Sequence, residues 1–481
     1  MQTSSFVRRG AALVASVLFV AGSPAMAAEK SEAADLKQQL ARMEARIAEL
    51  ESAKPAAPAG NLRLIDTSVD VVAAGASSED SDIIEELQGG GHDPKRRGFT
   101  LQQAELSFSG AVDPYFAGQA HIVFLEDDVE LEEAFVTSTA LPRGLELKAG
   151  YYLTEFGRIN STHPHTWHWI DQPIVASRLL GEDGLRAVGA RIAWLLPTRW
   201  YSQFYVGIQN ADSDAAISFL GEGHHHGEEE HGHAEEEHAE EEHGEEHAEE
   251  EMHAEGEEHA EAEEHDHGHG EEGEETVAGR PRIERDPSDL DEYLYSVRWE
   301  NSFDLTEQST ILFGLSGLYG PNAASEDGET FVYGADATWK WRPSSGARGS
   351  FLVWQTEVMR RDFDAGAVSI PHEDHSHDYP SETIEDWGLY SQLVWGFAPR
   401  WETGLRFEYV TGNDAGVEER DDDPARADRI RISPMVAFRP SEFSRVRLQY
   451  NYDDADFLDD EVHTVWAGLE FLYGKHPAHS F

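Results

Sequence analysis

Segments in which apolar and polar residues alternate recur along most of this chain, and this period of two constrains the fold more than any other feature. Clear examples are residues 204–208, 331–341 and 446–452. A segment of about ten residues with one apolar and one polar face matches a membrane-barrel strand, which faces lipid outside and water inside. Strands of a soluble β-sandwich also alternate, so the alternation alone leaves both folds open.

The connections between these segments favour the barrel. Short turns rich in Pro, Gly, Ser and Asp alternate with long loops along the chain. Short turns on one rim and long loops on the other are typical of an outer-membrane protein. We therefore predict an all-β fold, a transmembrane antiparallel β-barrel of about sixteen strands. The strands are predicted to start near residues 62, 98, 115, 129, 145, 185, 199, 292, 308, 330, 350, 383, 400, 429, 444 and 462.

Long loops are predicted on the extracellular rim. Aromatic residues near the strand ends, such as Trp299, Trp339 and Trp395, match the interfacial girdles expected of a membrane barrel. The predicted long loops are residues 77–97, 154–183, 222–275, 321–329, 361–382 and 413–427.

The segment before the barrel divides into two parts. Residues 1–27 are predicted to be a signal peptide, because two arginines precede a short apolar run that small residues follow. Residues 28–60 are predicted to be a periplasmic helix and a Pro/Ala linker, with apolar residues at heptad spacing. This helix fits either a short coiled coil that associates subunits or a lone amphipathic helix. The barrel domain is predicted over residues 61–481.

Residues 222–275 consist almost entirely of Glu, His, Gly and Ala and hold about half of the chain's 24 histidines. Such a sequence buries too little apolar surface to fold by itself, so residues 212–290 are predicted to be a disordered extracellular loop. The chain has no cysteine, so a zinc site must use imidazole and carboxylate ligands. Divalent-metal capture is the favoured interpretation of this His/Glu tract, and a solvated acidic surface is the alternative.

Two other predicted loops, residues 154–183 and 361–382, contain closely spaced histidines. In residues 154–183, three histidines within a six-residue stretch, with Asp171 nearby, could supply most of a zinc shell in a loop that folds inward and narrows a pore. The alternative is an aromatic loop packed on the barrel wall, whose histidines donate hydrogen bonds. No cofactor is predicted to be required, and zinc or another divalent cation would bind at the loops. The candidate metal ligands are His163, His165, His168, His224, His225, His226, His231, His233, His265, His267, His269, His372, His375 and His377.

Three stretches resemble the phosphate-selective porin O and P family. They are GFTLQQAELSFSG at residues 98–110, VDPY at 112–115 and LKAGYYLTEFGR at 147–158. The resemblance runs over most of the barrel and implies a sixteen-stranded porin that forms a homotrimer, with a short N-terminal coiled coil. The acidic tract and the His-rich loops lie outside the family's pattern.

Charged residues that alternate with apolar ones identify the side chains expected to face the lumen. If Ile430 and Ile432 face lipid, then Arg429 and Arg431 face inward. An arginine ladder selective for anions is one interpretation, and a mixed polar lumen with weak selectivity is the other. The predicted pore-lining residues are Arg406, Arg429, Arg431, Arg445, Arg447, Glu105, Glu300, Asp336, Glu357 and Glu408.

Together these features predict a porin in the outer membrane of a Gram-negative bacterium. Small solutes or ions would diffuse through it passively, while external His/Glu loops bind zinc or a similar metal. The alternative is a surface metal-buffering or adhesive protein that uses the barrel only as an anchor in the lipid. The net charge of −56 disfavours nucleic acid as a partner, and the sequence shows no HExxH motif or Gly-rich phosphate loop that would indicate an enzyme.

Overall fold

The computed structural model describes residues 65–78, 83–126, 128–222, 275–285, 290–343, 350–371, 376–417 and 419–474. The predicted signal peptide, coiled-coil helix and linker lie outside the described residues, as does nearly all of the His/Glu tract.

Sixteen antiparallel strands of the described chain close into a barrel, which confirms the predicted fold. Each strand pairs with its neighbours in sequence, and β1 closes the barrel against β18. The barrel strands are β1 (Asp66–Ser78), β2 (Gly98–Ala111), β3 (Phe116–Phe124), β4 (Val129–Ser138), β5 (Leu145–Leu153), β6 (Arg186–Leu195), β7 (Tyr201–Asn210), β8 (Tyr293–Thr306), β9 (Ser309–Pro321), β10 (Glu329–Trp341), β11 (Phe351–Ala365), β14 (Glu382–Ala398), β15 (Trp401–Gly412), β16 (Arg429–Ser441), β17 (Ser444–Ala455) and β18 (Val462–Gly474).

The remaining elements lie in the connections. Strands β12 (Val368–Pro371) and β13 (Ser376–Tyr379) form a separate two-stranded hairpin. Within the described ranges, no helix combines the length and apolar character needed to cross a membrane. The helices are α1 (Ile83–Leu87) and α2 (Ile174–Leu180), with 3-10 turns at Pro142–Gly144, Pro164–Thr166, Val277–Gly279 and Leu290–Glu292.

Two predicted loop boundaries differ from the structure. Residues 361–382 were expected to form one loop, but β11 continues to Ala365 because Phe363 and Ala365 point inward and pack in a small apolar cluster with Ile384. The predicted disordered loop, residues 212–290, is also too wide. Ala216 and residues 218–220 lie buried, and Arg282 donates to the carbonyl of Gly221, so both described ends of this loop are folded.

The outer face of the barrel is apolar where the inner face is polar. Leu405 on β15 is 51% exposed, whereas the next residue, Arg406, is 1% exposed. Leu393 and Pro434, the cross-strand neighbours of Leu405, are exposed as well. A soluble protein would expose this apolar face to water, which is unfavourable. The alternation therefore identifies it as the surface that lipid covers.

A charge on this face should destabilise the barrel according to its depth in the membrane. Leu405→Arg is expected to lower the free energy of unfolding in lipid vesicles by about 2–4 kcal/mol, the cost of an arginine near the bilayer midplane. Phe443→Arg, in the short turn between β16 and β17, is the matched control and should cost no more than about 1 kcal/mol. Equal losses for the two variants, measured by denaturant unfolding, would contradict this assignment of the lipid face.

Candidate pore constriction and interior histidine cluster

The loop between β5 and β6, residues 154–185 and here called L3, lies inside the barrel. Its aromatic segment is held by the far wall, where the Trp169 indole donates to the Ser433 carbonyl over 2.8 Å. The backbone N–H of Ile170 donates to the Gln449 side chain over 2.7 Å. The partners belong to β16 and β17, 264 and 279 residues further along the chain, so L3 crosses the lumen.

An apolar cluster fills the barrel at the level of α2. Every residue of α2 is buried, and Ile174, Val175 and Leu179 belong to one cluster with Met359 and Val410 of the wall. The expectation of a polar interior is therefore wrong at this level. The strands carry inward-facing apolar residues near their long-loop ends, and these residues bury their surface against the loop. The other wall residues of the cluster are Leu294, Leu318, Val332 and Tyr390.

The loop between β1 and β2, described over residues 83–97 and here called L1, packs beside L3. The carbonyl of Leu87 accepts hydrogen bonds from Arg429 and Arg431, each over 2.7 Å. Asp93 accepts from the backbone N–H of Gln172 in L3 over 2.9 Å. Burial and the nearby Asp171 carboxylate raise the pKa of Asp93 to about 7. The two loops thus form one unit inside the barrel.

Asp171 joins this unit to the arginine side of the wall. Its carboxylate pairs with Arg406 and Arg431, and it accepts from Gln449 and Asn451 over 2.8 Å each. Burial raises the pKa of Asp171, but the two guanidinium groups outweigh burial and hold it at about 2. These four side chains surround the carboxylate of Asp171, which the sequence placed near a possible zinc shell.

All ten predicted pore-lining side chains are buried in the barrel interior. The five arginines lie on one side, but loops and acids engage them. Arg445 donates to the carbonyls of His165 and Trp167, and Arg447 donates to that of Trp169. These arginines therefore hold L3 in place and do not form a ladder of free cations along the pore.

The predicted acids are also engaged. Glu300 and Asp336 pair with Arg298, and Glu357 accepts from the Tyr390 hydroxyl over 2.8 Å. Glu408 pairs with Arg406 and accepts from the N–H of Ile174 over 2.9 Å. Three of these four acids therefore have an arginine partner inside the barrel, and the fourth has a tyrosine hydroxyl.

A cavity of about 890 Å³ opens on the short-turn side of L3. Its walls include Trp341, Arg342 and Trp401 near the short turns, and its floor includes Trp167 and Trp169. Of the ten predicted pore-lining residues, Arg406 and Arg445 line this cavity. The chamber therefore lies between L3 and the short turns, and the apolar cluster lies on the long-loop side.

A cluster of histidines and carboxylates lies where L3 meets β2, β3 and β4. The His163 ring lies between Glu132 and Glu133, with Nδ1 2.8 Å from the first carboxylate and Nε2 3.0 Å from the second. Glu105 lies 2.9 Å from His121 Nδ1 and 3.0 Å from His165 Nδ1. Burial lowers the pKa of His163, but Glu132 and Glu133 outweigh it and hold that pKa well above its usual value.

Sequence reasoning missed His121, Glu132 and Glu133. A β-bulge explains the two acids, because His121 pairs with Glu133 while Ile122 pairs with Leu131, which leaves Glu132 as the extra residue. Both consecutive carboxylates are therefore buried on the inner side, where a strict period of two allows only one. The sequence signal was the unusual density of acids in this strand, Glu-Leu-Glu-Glu.

Two other candidate metal ligands belong to the described part of the chain, and neither joins this cluster. His168 lies 3.8 Å from Glu402 instead, and burial lowers its pKa. His377 is exposed on the β12–β13 hairpin and stacks on Tyr379. The remaining candidates lie outside the described residues: His224, His225, His226, His231, His233, His265, His267, His269, His372 and His375.

Comparisons with known proteins agree with the barrel architecture. No protein-family model matches the chain. An uncharacterized protein of Aquifex aeolicus (strain VF5) is 29% identical over 409 residues, which cover 82% of this chain and 73% of that protein. The outer membrane channel DcaP of Acinetobacter baumannii superposes with a TM-score of 0.50 at 9% identity, covering 85% of this chain and 97% of that chain. An anion-selective porin from Comamonas acidovorans gives a TM-score of 0.45 at 7% identity, covering 85% and 99%.

Proposed function

We propose that this protein is an outer-membrane channel through which small solutes or ions diffuse passively, with L1 and L3 restricting the flow. The observation that carries the proposal is the 890 Å³ chamber, which is bounded by short-turn residues of the barrel and floored by L3. A closed barrel of this strand number leaves an aqueous channel when its interior is not filled. The similarity in fold to an outer membrane channel supports the same function.

The interior charges favour weak ion selectivity. Arg406 and Arg431 are paired with Asp171, and Arg445 with Glu470. Guanidinium groups neutralised in this way provide little net field for anions. We therefore propose a mixed polar passage and not the phosphate selectivity that the family resemblance implies.

The channel proposal is tested by single-channel recording in planar bilayers, with and without zinc. Discrete current steps from the purified protein are expected, because the chamber occupies the short-turn end of the lumen and a displacement of the loops that fill the rest would make it continuous. A protein that inserts, binds zinc and carries no current under any voltage would contradict the channel and favour the anchor.

We also propose that the His/Glu tract captures zinc or a similar divalent ion outside the pore. Deleting residues 223–274 should leave a folded, conducting barrel and lower the zinc bound per chain, since the tract supplies many imidazole and carboxylate ligands. Zinc content after dialysis, measured by atomic emission, should also fall between pH 7.5 and pH 5 in the intact chain, because protonation of imidazole near pH 6.5 competes with the metal. An unchanged zinc content after the deletion would count against this role.

A further inference from the structure

The buried cluster between L3 and strands β2 to β4 has no role in solute passage as proposed above. Glu105, His121 and His163 each offer one donor atom, and these atoms all lie within 4.8 Å of one another. Donors around a tetrahedral zinc ion, with bonds of about 2.0–2.2 Å, are roughly 3.4 Å apart. Small side-chain movements would therefore bring the three donors into a common coordination sphere.

We propose that Glu105, His121 and His163 bind a divalent metal ion of the zinc class, which fastens L3 to the barrel wall. The ligands come from β2, β3 and L3, so the metal joins two strands to the loop that floors the chamber. Two imidazoles and one carboxylate suit zinc and its neighbours, whereas calcium and magnesium prefer oxygen ligands throughout.

The surrounding groups resemble the second shell of a metal site. Metal-bound histidine usually donates its other ring N–H to a carboxylate, which fixes the ring. With Nδ1 of His163 directed to the metal, Nε2 would donate to Glu133, which lies 3.0 Å away. Ser107 Oγ lies 2.9 Å from His121 Nδ1 and donates to Glu105, so it holds two of the proposed ligands in place.

Glu105 provides a second observation that points to a cation. It is fully buried among three imidazoles: His121 Nδ1 lies 2.9 Å from its Oε1, and its Oε2 lies 3.0 Å from His165 Nδ1 and 3.6 Å from His163 Nδ1. Glu132 and Glu133 add two more buried carboxylates, and no Lys or Arg belongs to the cluster. A divalent ion bound here would add positive charge among these carboxylates.

The chamber provides a route for the ion. His165, whose Nδ1 lies 3.0 Å from Glu105, lines the chamber, as does Asp70. An ion that reached the chamber would pass these two side chains before it met the three ligands.

Cobalt titration of the chain lacking residues 223–274 tests the site, because the deletion removes the tract's own ligands. After removal of metal with EDTA, one Co²⁺ per chain is expected, with the visible absorption of a four-coordinate ion, and zinc should displace it. Glu105→Gln, His121→Gln and His163→Gln should each abolish stoichiometric binding. Glu133→Gln should weaken it by about 10–100-fold, the usual effect of losing a ligand's carboxylate partner.

His463→Gln is the matched control, because His463 is a partly buried barrel histidine that contacts Tyr450 and not the cluster. It should bind Co²⁺ as the parent does, and circular dichroism should show barrel strands in every variant compared. Absence of stoichiometric Co²⁺ in the folded parent would overturn the site, as would wild-type affinity in all three ligand variants. Metal content is read separately from current, so the channel proposal and the metal site fail independently.

Discussion

Asp171→Asn is expected to detach L3 from the barrel wall and to raise the channel's conductance. The substitution removes the charge that Arg406 and Arg431 share in a fully buried setting. Breaking a buried ion pair from one side typically costs about 3–5 kcal/mol. Because Arg406 keeps Glu408 and Arg431 keeps Asp453 as partners, a loss near the lower end, about 3 kcal/mol, is expected. The free energy of unfolding should fall by this amount, and single-channel recordings should show larger steps than the parent.

An exposed aspartate provides the control for this variant. Asp414 pairs with Arg420 over 3.1 Å in the loop between β15 and β16, and its side chain is 92% exposed. Asp414→Asn should change stability by less than about 1 kcal/mol, because solvent screens such pairs, and should leave the current unchanged. If Asp171→Asn behaved like Asp414→Asn, the contacts of Asp171 would not be what holds L3 across the lumen.

The period of two, together with the alternation of short turns and long loops, was sufficient to predict the barrel and the side of the wall on which most strand residues lie. It placed Arg429 and Arg431 inward, and both are buried on that side. It also located the strand starts closely, because turn residues mark where an extended strand ends. These are local properties, so a single sequence contains them.

The contents of the barrel could not be predicted in the same way. The pairing of Asp171 with Arg431 joins residues 260 positions apart, and no local pattern marks such a contact. The seven-residue α2 is too short to form from its own sequence preference, so its burial against Met359 and Val410 stabilises it. The β-bulge at Glu132 is a departure from the pattern itself. It places Glu132 beside His163, whereas the spacing of the histidines pointed to a site made by L3 alone.

Removing α2 is expected to have the largest effect on conduction. Replacing residues 172–182 with a Gly-Ser linker of equal length would take away the apolar residues that fill the barrel beyond the chamber. A barrel of this strand number without an interior plug leaves an aqueous channel. The current of the variant should therefore rise above the parent's, although Phe156, Phe219 and Leu220 of the cluster remain. Stability should fall as well, because Met359, Val410 and the other wall residues of the cluster lose their apolar partners.

A loop replacement of similar length separates this effect from general damage to the long loops. Residues 368–379 contain the β12–β13 hairpin, which forms its own small sheet and is largely exposed where described. Replacing them with Gly-Ser should leave the current at the parent's value. Since the wall at the level of α2 is apolar on its inner side, water must also wet this surface before ions cross. An α2 replacement that folds, inserts and conducts no more than the parent would show that the plug is not what limits flow, and that the restriction lies with L1 and the aromatic segment of L3.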